Sequence, residues 1–147
     1  MKNLSKLKPS ELIELAMSDM KATIEQGIEI NMSTWGERDP NDVSKICHVC
    51  FAGSVMLQEK DVSVMKGIDF DSEASKYENQ YQFLDSIRCG DLSDAMEHLD
   101  IKHPLDSIYS ECGWNYRILN WISYEDDETK FYSQLENMIK YLKGFGL

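Results

Sequence analysis

The sequence predicts a mostly α fold: a single compact domain of five to seven helices, with a central apolar helix around residues 46–57 and room for one short strand. Three observations carry that expectation. The 147 residues include only 3 prolines and 8 glycines, few turn-formers for a β-rich chain. Apolar residues recur at helical spacing in several segments, each bounded by a capping residue or a glycine. The stretch ICHVCFAGSVML, residues 46–57, is apolar nearly all round, which suits a helix at the centre of a core. A chain of this length buries a core without needing disulfides or metals.

The first helix follows Pro9, which fits a first helical turn because its missing N–H has no partner there. Ile13, Ala16, Met17, Met20 and Ile24 share one stripe, Leu12 and Leu15 widen it, and Gly27 supplies the stop. Residues 28–42 lack helical periodicity. Ile28, Ile30 and Met32 alternate as in a short strand, and Trp35-Gly36 and Asp39-Pro40 read as loop. The spacing predicts the central helix next, where the small residues Ala52, Gly53 and Ser54 let neighbours approach closely.

After a polar connection from Glu59 to Phe70, Asp71 or Ser72 caps a helix whose stripe is Ala74, Tyr77, Tyr81, Leu84 and Arg88, ending at Gly90. Asp91 caps a short helix through Leu92, Ala95, Met96 and Leu99. Pro104 opens another through Leu105, Ile108, Tyr109 and Cys112, stopped by Gly113. Residues 114–122, WNYRILNWI, fit a strand by Trp114, Tyr116 and Ile118 or a helix by Trp114, Ile118 and Trp121. In the last helix Phe131, Leu135, Met138 and Leu142 form the stripe and Gly144 the end. Ser123 with Asp126 resembles a capping box, and the acidic run Glu125 to Glu128 complements the helix dipole.

The net charge is -11, from 15 Lys and Arg against 26 Asp and Glu. That surface repels a phosphate backbone, so direct nucleic-acid binding is not expected. It suits a solvated surface, a basic protein partner or mimicry of DNA. No apolar run reaches the ~20 residues that cross a bilayer. The start, MKNLSKLKPSEL, has no stretch resembling a signal peptide, so the expected location is cytoplasmic, with reduced cysteines.

Cys47 and Cys50 form one C-x-x-C. Zinc would need two further ligands from Cys89, His98, His103 or Cys112, and none of these is paired in spacing. A thioredoxin-like pair would need a preceding strand, and residues 36–46 do not read as one. The remaining reading places both thiols as small apolar groups on a buried helix. His48 then sits at its rim, paired with a carbonyl or a carboxylate. No cofactor is expected. The chain lacks G-x-S-x-G, Walker, H-E-x-x-H and G-x-G-x-x-G patterns, and a Cys112–His103 pair would have to meet in space. EDDE at 125–128 lacks the ligand spacing of a calcium loop. Trp35, Trp114, Tyr116 and Arg117 are the binding candidates, since aromatic and arginine side chains dominate protein contacts. Tyr77, Tyr81 and Trp121 fall on core stripes.

The stretch C-x-V-C-x-A-G-x-V-M, here Cys47, Val49, Cys50, Ala52, Gly53, Val55 and Met56, lies downstream of Trp35. Pro9, Glu11, Leu12 and Ile13 open the first helix. Together these resemble small proteins of tailed bacteriophages over roughly the N-terminal 60 residues. Ser54 departs from the alanine of that pattern. The resemblance implies a phage accessory protein in bacterial cytoplasm and carries over no catalytic residue. The expected function is binding and modulation of a host protein, such as a defence or transcription component, without catalysis. The alternatives are a small-molecule or nucleotide-signal binder built on Arg88, Arg117 or Lys76, and a zinc protein built on Cys47 and Cys50.

Overall fold

A computed structural model describes residues 3–59, 69–101 and 120–147. After a single 3-10 turn at Leu4–Lys6 the elements run α1 (Pro9–Glu25), β1 (Glu29–Ile30), β2 (Gly36–Asp39), β3 (Asp42–Val49) and α2 (Phe51–Gln58). There follow α3 (Phe70–Lys76), α4 (Glu78–Ile87), α5 (Leu92–His98) and α6 (Glu128–Gly144). The fold is mostly α, as the sequence predicts, with a small mixed sheet in addition.

Pro9 is the first residue of α1, and Gly27 ends the turn beyond it with φ +82, a left-handed conformation that favours glycine. α1 packs on α2 and α6, and α4 packs on α5. α2 sits between α1, α3, α4 and β3, and every residue from Phe51 to Leu57 is buried. That all-round burial is the physical counterpart of an all-round apolar segment.

The central element is shorter than expected, however. Residues 46–49 belong to β3, and the helix starts only at Phe51, with Cys50 as its N-cap. The cause lies upstream. Asp39 and Asp42 pair across a two-residue turn, Pro40-Asn41, and the Asn41 N–H donates to Asp39 Oδ1 at 2.8 Å. Pro40 sits where no ladder bond is needed. This hairpin aligns β2 antiparallel to β3, while β1 joins the other edge of β3 in parallel. The result is a three-stranded sheet ordered β1-β3-β2, so residues 36–46, read as non-strand, are largely strand.

The stripe from Ala74 to Arg88 is interrupted. Tyr77 at φ -136, ψ 53 is non-helical and divides α3 from α4. α3 is capped by Asp69, which accepts from the N–H groups of Asp71 and Ser72, rather than by either of those residues. α5 is capped by Asp91 as expected. α6 begins later than Ser123: Asp127 caps it, accepting from the Lys130 N–H at 3.0 Å, and Ser123 holds the turn before it. Of the EDDE run, Asp127 and Glu128 form the helix start, while Glu125 and Asp126 lie in the turn before it. The stripe of α6 is buried at Phe131, Leu135, Met138 and Leu142. Phe131 meets Phe51, Trp121, Tyr124 and Tyr132 edge to face. The helix expected after Pro104 and the segment 114–119 lie outside the described residues. Among the described residues no helix is long and apolar enough to cross a membrane.

Candidate functional site

Among the described residues, two places gather chemistry-bearing side chains. The first lies on the sheet. In the β2–β3 ladder Glu37 pairs with His48, but Arg38 pairs with Ile46, so Cys47 is an extra, bulged residue. On a regular strand Cys47 and His48 would point to opposite faces. The bulge re-aims them, and Cys47 Sγ comes 3.2 Å from His48 Nδ1 and 3.4 Å from the Glu37 carbonyl oxygen. Register supplies the carboxylates: Glu29 on β1 and Glu37 on β2 both lie opposite His48. His48 Nε2 is 3.0 Å from Glu29 Oε2, and Nδ1 is 3.4 Å from Glu37 Oε2. Sulfur, nitrogen and carboxylate donors of Cys47, His48 and Glu37 all lie within 4.8 Å of one another. Cys47, His48 and Glu29 also line an open cleft of about 700 Å³ with Lys45 and Asp39.

This arrangement corrects the reading of the C-x-x-C. The two thiols do not share a buried helix. Cys47 is half-buried on a strand, while Cys50 is buried at the helix start, its Sγ accepting from the Gly53 N–H at 3.2 Å. Burial pushes the Cys50 thiol up to about 11, far from a reactive thiolate or an easy ligand. His48 does pair with carboxylates, but from the sheet rather than a helix rim. Glu29 and Glu37 had no motif to mark them. The Asp39-Pro40-Asn41-Asp42 turn signals a hairpin, but the ladder shifts register between Asp39 and Arg38 and again between Arg38 and Glu37, so the turn alone does not place Glu37 beside His48.

The second place surrounds Trp35, half-buried in the loop between β1 and β2. One cleft of about 510 Å³ is lined by Trp35, Arg38, Asp69, Phe70 and Asp71. Another of about 310 Å³ is lined by Met32, Trp35, Cys50, Asp85 and Arg88. A third and smaller one runs from Trp35 along α3 and α4, to Tyr81 and Gln82. The loop is pinned from below. A Cβ at Gly53 would overlap the Trp35 carbonyl oxygen, so only glycine lets the start of α2 lie against that backbone. A Cβ at Gly36 would likewise overlap the ring of Phe70. Arg88 Nε donates to Asp85 Oδ1 at 2.7 Å, and its carbonyl accepts from Trp121 Nε1 at 2.9 Å. Burial pulls the Arg88 pKa down, but the hydrogen bond and charge of Asp85 outweigh it and the guanidinium stays charged.

Of the expected binding residues, the structure places Trp35 beside Arg88. Trp114, Tyr116 and Arg117 lie outside the described residues, as do His103 and Cys112. Tyr81 is buried and Trp121 packs against the core, in line with their stripes. Lys76 pairs with the buried Glu73 at 2.8 Å, which ties it to α3. His98 pairs with Asp94 at 3.4 Å, and Cys89 is exposed. Comparison with protein-family models, with curated proteins and with solved structures found no match.

Proposed function

We propose that the chain is a small acidic accessory protein of the tailed-phage type that binds and modulates a host protein without catalysing a reaction. The Trp35 groove is its contact site. One observation carries this reading: three adjoining clefts meet at a single half-buried tryptophan, with Arg38 on one side and Arg88 on the other. Tryptophan and arginine are the side chains most enriched where interfaces concentrate their energy. The loop that presents Trp35 is seated on Gly53 before any partner arrives, which lowers the ordering cost of association. The net charge of -11 favours a basic partner and speeds encounter with it. Capture from bacterial lysate by the tagged chain, at low and at moderate salt, is expected to recover one stoichiometric host protein. Recovery of none at either salt would overturn the reading.

A second reading is favoured by the pairing of Trp35 with Arg88 in a cleft of about 310 Å³, the lower end of the size of small-molecule sites. An indole face stacks a base, and a guanidinium binds a phosphate or a base edge. Calorimetric titration with a panel of nucleotides separates the two readings. Saturable heat that disappears in Arg88→Gln supports the small ligand, and flat titrations remove it.

A further inference from the structure

We propose that Cys47 Sγ, His48 Nδ1 and the Glu37 carboxylate form a binding site for a thiophilic divalent cation, zinc first among them, with Glu29 as the positioning residue and the fourth coordination place open to the adjoining cleft. The site shares none of its donors with the Trp35 groove, so the two proposals stand or fall separately.

The donor set is the first reason. Thiolate, imidazole and carboxylate are the three ligand types that zinc takes, and three protein ligands plus an open place is a common arrangement. Spacing is the second. Zinc bonds of about 2.3 Å to sulfur and about 2.0–2.2 Å to nitrogen and oxygen, at tetrahedral angles, put N and O about 3.4 Å apart and N and S about 3.6 Å apart. His48 Nδ1 lies 3.4 Å from Glu37 Oε2 and 3.2 Å from Cys47 Sγ. Two edges of the coordination polyhedron therefore already have nearly the right length.

The third reason is the tautomer. A carboxylate only accepts, so the 3.0 Å contact with Glu29 places a hydrogen on His48 Nε2. In the neutral ring Nδ1 then presents a lone pair toward the sulfur and toward the Glu37 oxygen. A carboxylate that accepts from the far nitrogen is the usual outer partner of a metal-ligating histidine, and it raises the basicity of the metal-facing nitrogen. Rigidity comes from the sheet: Glu29, His48 and Glu37 occupy one row across three hydrogen-bonded strands, and the bulge adds Cys47 to it. Binding releases the thiol proton to solvent, and the cation takes the place of that proton between the sulfur, the imidazole nitrogen and the carboxylate.

The full-length protein, stripped of metal, is titrated with Co²⁺ alone and then with Zn²⁺. The expected result is a near-ultraviolet thiolate-to-cobalt charge-transfer band that saturates at one equivalent and is abolished by zinc. Cys47→Ser removes the band and weakens zinc at least tenfold, His48→Gln weakens it comparably, and Cys89→Ser changes neither. Glu29→Gln keeps the band but weakens zinc about 10–100-fold, because the coordinating sulfur remains while the imidazole loses its orientation. Circular dichroism of each variant checks folding. A second measurement needs no variant: zinc is expected to slow alkylation of native Cys47 at least tenfold. Absence of a band in the wild type would mean that the cluster is no metal site. A band that survives Cys47→Ser would mean that another thiol holds the ion. Either result, or alkylation indifferent to zinc, overturns the proposal.

Discussion

Gly53 shows how one missing methyl group shapes the molecule. It lies in the first turn of α2, where glycine costs about 1 kcal/mol relative to alanine. The position keeps that cost because the Trp35 carbonyl oxygen occupies the space a Cβ would need. Backbone on both sides leaves little room to relax. Gly53→Ala is therefore expected to destabilise the fold by about 1–3 kcal/mol despite its better helix propensity, and thermal denaturation reads this as a lower Tm. Cys50 is the second residue with a measurable signature. Burial raises its thiol from 9.0 to about 11, so between those values the unfolded chain loses a proton that the folded chain keeps. Stability then falls as pH rises across that window, by up to about 1.4 kcal/mol per pH unit. Tyr81 and Tyr132, also raised mainly by burial, steepen the fall at its upper end. Cys50→Ser keeps a capping atom and is expected to remove the thiol's share of the slope, read by denaturant melts at pH 8 to 11. Near neutral pH, Cys47 and Cys89 are expected to alkylate before Cys50, which reacts only on unfolding.

Among the elements, helices were legible wherever start and stop chemistry framed a stripe. Pro9 and Gly27 framed α1, Asp91 opened α5, and the stripe from Phe131 to Leu142 marked α6. Boundaries were less so. Ser123 and Asp127 both offer a capping oxygen, and only the geometry of the preceding turn selects Asp127. Asp127→Ala is expected to cost about 1 kcal/mol in urea denaturation, whereas Ser123→Ala should cost less. The break at Tyr77 left no trace, because the apolar stripe runs unbroken across it. Strand β3 is hidden from periodicity for a physical reason. A buried strand feeding straight into a buried helix gives one continuous apolar run, and periodicity cannot divide it. The β-branched Ile46 and Val49, with Asp39-Pro40-Asn41-Asp42 ahead of them, were the available counter-signal. The candidate metal site depends on residues 46–49 being strand rather than helix. Read as a helix, residues 46–50 bury their thiols; as a bulged strand, they set Cys47 between a histidine and a carboxylate contributed by another strand.

At the scale of the molecule, α2 lies between α1, α3, α4 and β3, and the Trp35 loop closes over its first turn. The fold class and the centrality of residues 51–57 could be read from composition and pattern. The groove could not, because it joins side chains from the β1–β2 loop, β2, α3 and α4, and only packing brings these together. With a net charge of -11, association with a basic partner is expected to slow as salt rises, while the tryptophan contact, being apolar, persists. The most direct test is the affinity of the captured host protein for the wild type and for Trp35→Ala, measured side by side by calorimetry with folding verified. A tryptophan at the centre of the contact predicts a loss of about 30-fold or more, equivalent to about 2 kcal/mol. Equal affinities for the two proteins would contradict the assignment of the groove as the binding site.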